Sequence, residues 1–138
     1  MALILEIITP DKVVYRETIQ DVVIPTDMGE IDVLAGHQPL TALVAPGELR
    51  VRKDGQVSFL AVDQGFARIL GDTVSILTEA AIDIKAIDIQ SVEQAQERAQ
   101  KALEEARGHK EIDPAEVEKL EAIVRFALAQ KLVKRKQY

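Results

Sequence analysis

The periodicity of the chain changes once, near residue 85, and that change limits the folds open to it. Up to Ile84, short apolar and β-branched runs are broken by Gly, Pro and Asp. Beyond it, Gly108 and Pro114 stand close together and the rest is mainly Ala, Glu, Gln, Lys and Leu. Short strands between turn signals about every eight to twelve residues are the pattern of a sandwich or barrel. Alanine-rich stretches with charges at helical spacing are the pattern of helices. The reading is therefore an antiparallel β-sandwich over 1–84 and an antiparallel two-helix hairpin over 88–138, divided at Asp83–Asp88. A chain of 138 residues suits one domain with a short appendage of this kind.

The predicted strands are Leu3–Thr9, Lys12–Glu17, Thr18–Pro25, Ile31–Leu34, Glu48–Lys53, Gln56–Val62, Phe66–Leu70 and Thr73–Thr78. Asp54-Gly55 is the sharpest turn signal, because both residues tolerate the positive φ of a type I′ hairpin. Before it, Leu49 and Val51 alternate with Arg50 and Arg52, so one face is buried and one is wet. After it, Val57, Phe59 and Ala61 share one face while Leu60 and Val62 occupy the other. That strand needs a cover on both sides, either from within the chain or from another protein. Phe66, Ile69, Leu70, Ile76 and Leu77 continue the doubly apolar character and add to the case for a partner surface.

The first helix is predicted over Asp88–Arg107, capped by Asp88 or Ser91, with a Ser91/Gln94 capping box and Gly108 as a left-handed C-cap. The second starts at Asp113 and Pro114, with Glu116 completing a capping box and Ile112 stapling on Val117. Glu97–Lys101 and Glu121–Arg125 are i,i+4 pairs. The inward stripe of the first helix is Ile89, Val92, Ala95, Ala99, Ala102, Leu103 and Ala106. That of the second is Val117, Leu120, Ile123, Val124, Ala127 and Leu128. Alanine buries little area, so the hairpin is expected to be closely spaced, weakly held to the rest and able to undock.

Composition and motifs exclude more than they assign. With 47% hydrophobic and 29% charged residues, the chain is not disordered by composition. It has no apolar run long enough to cross a bilayer. Met1–Glu6 lacks the basic stretch of a signal peptide, so the chain is expected to stay where it is made. There is no cysteine, hence no disulfide, thiolate metal site or thiol nucleophile. His37 and His109 have no ligand partner at i+3 or i+4, so no metal is expected. No phosphate-binding Gly-rich loop is present, and nothing supports a Ser–His–acid triad. A net charge of −6 argues against nucleic-acid binding. That charge is uneven: residues 1–84 hold thirteen acids and six bases, a net −7, and residues 85–138 hold ten and eleven, a net +1. From Ala122 onward there are five bases and no acid. This basic end reads equally as a solvated helix terminus or as a surface for an acidic partner.

The segments Leu5–Asp11, Ile24–Leu40, Pro46–Val51, Gly65–Ile69 and Val74–Leu77, above all Gly29-Glu30 and Gly36-His37-Gln38-Pro39-Leu40, resemble the epsilon subunit of bacterial F-type ATP synthase. The resemblance implies a β-sandwich followed by a two-helix hairpin. It also implies a non-catalytic place at the foot of the central stalk, against the gamma subunit and the c-ring. There the subunit couples ring rotation to the catalytic head, and its extended hairpin inhibits ATP hydrolysis. In such a subunit the loop carrying Gly29, Glu30 and His37 faces the c-ring. Arg125, Lys131, Lys134, Arg135 and Lys136 resemble the bases that meet the catalytic beta subunits. By patterning, Leu60 and Val62 are placed on a gamma-docking face. Some members bind ATP through an Ile/Leu-Asp-x-x-Arg-Ala pattern; here Ile112-Asp113 is followed by Pro114, Ala115 and Glu116, an acid where the pattern has Arg, so no ATP binding and no cofactor are expected. The implied location is the cytoplasmic face of the cell membrane, or a thylakoid, peripheral and without lipid insertion. Two other readings stay open: a stand-alone β-sandwich ligand-binding module with an enclosed apolar pocket, and a small hydrolase with two close carboxylates of diverging pKa.

Overall fold

The computed structural model describes residues 2–108 and 113–135. His109, Ile112 and Lys136, and the side chain of Arg135, lie outside the described residues. Ten strands come first: β1 (Leu3–Ile8), β2 (Val13–Ile19), β3 (Asp21–Thr26), β4 (Gly29–Leu34), β5 (Leu40–Val44), β6 (Gly47–Lys53), β7 (Gln56–Val62), β8 (Gly65–Leu70), β9 (Thr73–Thr78) and β10 (Ala81–Asp83). A 3-10 turn over Ile84–Ala86 leads to helices α1 (Ile89–Arg107) and α2 (Pro114–Arg135). Two strands exceed the sequence reading, β5 and β10. β5 has only exposed and half-buried residues up to Val44, so its alternation is faint; β10 is three residues long.

The strands form one hydrogen-bonded path, β10-β7-β6-β3-β5-β8-β9-β1-β2, with β4 attached at the edge of β3. A single residue pair, Thr26 with Val44, joins β3 to β5. At that corner the sheet folds over, so that two layers face each other across one interior. β1 and β9 run parallel, which corrects the expectation of a wholly antiparallel body. Asp54 and Gly55 have φ of 52° and 75°, as the type I′ turn requires. The interior is filled by alternate residues of all of β1 to β9, among them Leu5, Ile24, Leu49, Ile69 and Ile76.

Leu60 and Val62 belong to that interior. They are almost wholly enclosed, so the docking face assigned to them does not exist. The opposite side of β7 carries Phe59 and Ala61, which meet the helices. The strand is apolar on both faces because it separates two cores: the sandwich on one side, and on the other a smaller cluster of Ala61, Ile84, Ile87, Val92, Ala127 and Val133.

The helices depart from the sequence reading at their ends and on their faces. Asp88 caps α1 through the amides of Gln90 and Ser91. Gly108 ends it in right-handed geometry, with φ −84° and ψ −7°, so the left-handed cap is not used. Asp113 caps α2 through Ala115 N–H at 2.9 Å. Ile123 and Leu128, expected inside, are 44% and 49% exposed. Ala127 is buried as expected, and Ala129 and Val133 join it. The stripe has rotated because α2 must satisfy α1 and β7 together, and small residues allow the closest approach to both.

Candidate functional site

Three surfaces stand out. The first is the outer edge of β4, which among the described residues pairs only with β3. Its outward residues Glu30, Asp32 and Leu34 are exposed, and Met28 at the tip of the β3–β4 turn is 93% exposed. Gly29 has φ +110° there. Thr26 Oγ1 ties the turn by donating to Gly29 C=O and accepting from Met28 N–H. His37 lies beyond the other end of β4, its Nδ1 2.7 Å from Gln38 C=O. Gly29 and Glu30 therefore do not share a loop with His37. They mark the two ends of a strand edge about 17 Å long at 3.3 Å per residue.

Beside that edge, Asp32 and Asp21 share the outer face of the sheet. Burial, and a hydrogen bond with Asp21, push the Asp32 carboxyl above its ordinary range. Arg52 Nε lies 3.4 Å from Asp21. These are two close carboxylates of the kind a hydrolase would use, but Arg52 occupies one of them and they lie on a sheet face.

The second surface is on the layer away from the helices. Leu43, Phe66 and Leu77 are direct cross-strand neighbours on β5, β8 and β9, and are 50%, 55% and 50% exposed. Ile8 of β1 extends the row. Phe66 is a ridge between two open hollows of about 270 Å³ and 470 Å³, both bounded by Gln64, Gly65 and Glu79. Gly65 is required here: a Cβ would lie 1.9 Å from Leu77 C=O.

The third surface is the contact of the hairpin with the sandwich. Arg125 donates twice to Asp63, Nε to Oδ1 at 2.7 Å and Nη2 to Oδ2 at 3.0 Å. The Asp63 side chain is 2% exposed. This hydrogen bond raises the guanidinium pKa against the opposing effect of burial. Lys134 Nζ donates to Ile84 C=O at 3.2 Å, and Lys131 Nζ donates to Gln96 Oε1 at 2.7 Å within the hairpin.

The family model for the ATP synthase delta/epsilon chain β-sandwich domain matches residues 2–84. The chain belongs to the ATP synthase delta/epsilon family. The ATP synthase epsilon chain of Syntrophobacter fumaroxidans is 36% identical over 92% of this chain and 95% of its own. That of Bacillus subtilis is 39% identical over 70% and 74%. Among solved structures, a chain of the Euglena gracilis mitochondrial ATP synthase (OSCP/F1/c-ring) superposes with a TM-score of 0.68 at 25% identity, covering 95% of this chain and 80% of that one. A chain of the Tetrahymena thermophila mitochondrial ATP synthase central stalk/c-ring gives 0.58 at 12% identity and supports the fold. This protein is thus an epsilon-type subunit of an ATP synthase, a membrane-associated complex. Among the described residues no helix is long and apolar enough to cross a membrane.

In this epsilon-type subunit the basic group of α2 is not a free cluster. Arg125, Lys131 and Lys134 are each held within the docked structure, and Arg125 pairs with Asp63 rather than with Glu121. Sequence reasoning missed Asp63, Gln96 and Leu43. An acid directly after Leu60-Ala61-Val62 was a signal, but its partner lies 62 residues away.

Proposed function

We propose that this chain is the non-catalytic coupling subunit of its ATP synthase. The sandwich grips the gamma subunit through the Leu43–Phe66–Leu77 row and rests on the c-ring along the β4 edge, with Gly29, Glu30 and His37 at its ends. The hairpin is a separate regulatory part. Docked, as here, it leaves the catalytic head free. Extended, it brings Arg125, Lys131, Lys134, Arg135 and Lys136 to the acidic surfaces of the catalytic beta subunits and inhibits ATP hydrolysis. The subunit sits peripherally on the cytoplasmic face of its membrane.

The observation that carries this reading is the exposed apolar row, which crosses three strands on the layer the hairpin leaves bare. Monomeric proteins keep such patches for partners. Tight ATP binding is not part of the proposal: Asp113 is committed to capping α2, and Glu116 puts an acid where phosphate would need a base. The open hollows beside Phe66 also differ from the enclosed pocket of a ligand-binding module.

The test is reconstitution with a gamma-containing catalytic head. A Phe66→Asp variant is expected to bind at least about tenfold more weakly, as truncation of a central aromatic anchor does; unchanged affinity would overturn the docking face. A chain ending at Ile87 is expected to bind at least as tightly as the full chain without inhibiting ATP hydrolysis. Equal hydrolysis rates with the full and shortened chains would remove the inhibitory role.

A further inference from the structure

The turn between β7 and β8 belongs to two surfaces at once. Its first residue, Asp63, is enclosed and holds Arg125 of the hairpin in a two-bond fork. Its next residues, Gln64 and Gly65, line both hollows beside Phe66. The facing segment, Thr78 to Ala80, is fastened to the same turn. Thr78 Oγ1 lies 2.8 Å from Asp63 C=O, Asp63 N–H donates to Ala80 C=O, and Glu79 N–H donates to Gln64 C=O. Glu79 is exposed, lines both hollows, and adds to the negative field, chiefly that of Asp63, which favours the Arg125 guanidinium.

The charge of the hollows says what they accept. Among the described residues, Glu79 and, in the larger one, Asp27 are the ionisable residues of their walls, and no Lys or Arg lines either. An apolar segment carrying a base fits Phe66 and Glu79 together. We propose that the Asp63–Arg125 pair is the latch of the docked hairpin, and that Glu79 couples it to the Phe66 hollows, so that a Lys or Arg of the stalk partner seated there loosens the hairpin.

The sign follows from electrostatics. A base seated at Glu79 neutralises a carboxylate that favours Arg125 and brings a like charge toward the guanidinium. Seating also excludes water, which strengthens both effects. By linkage, a docked hairpin weakens the partner's hold by the same factor. The proposal rests on the stalk reading for its partner but not for its latch.

The latch is tested on the full free chain by hydrogen exchange of α2 amides. Asp63→Asn keeps the acceptor for Gln64 N–H and removes the charge; Arg125→Gln removes the fork. Each is expected to speed α2 exchange at least about thirtyfold, the lower range for breaking a buried charged pair, while β1 and β9 amides stay unchanged. The double variant is expected to match the singles. Unchanged exchange in the singles, or additive effects in the double, would overturn the latch. The coupling is tested by adding a gamma-containing catalytic head. Bound head is expected to speed α2 exchange in the wild type and not in Glu79→Gln. Bound head without faster wild-type exchange, or with an equal rise in Glu79→Gln, would overturn the coupling. Absence of binding would instead defeat the stalk reading, leaving the latch to stand on the free-chain result.

Discussion

Gly65 is paired with Thr78 where the β8–β9 ladder begins, and the pairing leaves no room for a methyl group. An added Cβ would meet Leu77 C=O at 1.9 Å and Thr78 Cα at 2.8 Å, all backbone atoms. Neither strand can yield without disturbing the Phe66 ridge that follows. Gly65→Ala is expected to cost at least about 3 kcal/mol in urea unfolding, the upper range for overpacking. A loss below about 1 kcal/mol would show that the strands can part. Asp32 gives the opposite kind of handle. Burial and Asp21 raise its folded pKa, so the fold binds this proton more tightly than the unfolded chain does. Its contribution is fully present below the unfolded value near pH 4 and is lost as pH rises through the raised folded value. Asp32→Asn should therefore move the urea midpoint upward at pH 7 and leave it nearly unchanged at pH 3.5.

The two helices are unlike as elements. α1 buries one face, through Val92, Gln96, Ala99 and Leu103. α2 buries Ala127, Ala129 and Val133 yet leaves Leu128 and Leu132 49% and 60% exposed at i,i+4 spacing. A helix with apolar residues on two sides suits two surroundings, and only one is filled here. Replacing Leu128 and Leu132 with Gln is expected to change stability by no more than about 0.5 kcal/mol, as at other exposed positions, while weakening inhibition of ATP hydrolysis in the reconstituted head. A large loss of stability, or full inhibition, would mean that this face serves the docked state alone.

At the scale of the whole molecule, the two ties differ in their exposure to salt. Asp63 is enclosed and Arg125 is only 30% exposed, and screening acts weakly on partly buried pairs. The sandwich carries a net −7 over residues 1–84, and the contact proposed for it lies on open surface. Raising salt from about 0.05 to about 0.5 M is expected to weaken binding to the gamma-containing head while changing α2 amide exchange in the free chain very little. A strong salt dependence of that exchange would mean water reaches the latch.

The change of periodicity near residue 85 was enough to place eight of the ten short strands before two helices, because alternation and helical spacing are local properties of neighbouring residues. Asp54-Gly55 and Asp88 reported a turn and a cap for the same reason: φ preference and capping act within a few residues. The doubly apolar β7 told that the strand needs a cover on both sides, but not which face met the sandwich or what covered the other. Only the folded sheet put Leu60 and Val62 inside, left Phe66 and Leu77 outside, and turned Leu128 to solvent. The match of Asp63 with Arg125 likewise came from tertiary structure, since a residue's burial and its distant partners depend on where the layers cross, and nothing in the neighbouring sequence carries that distance.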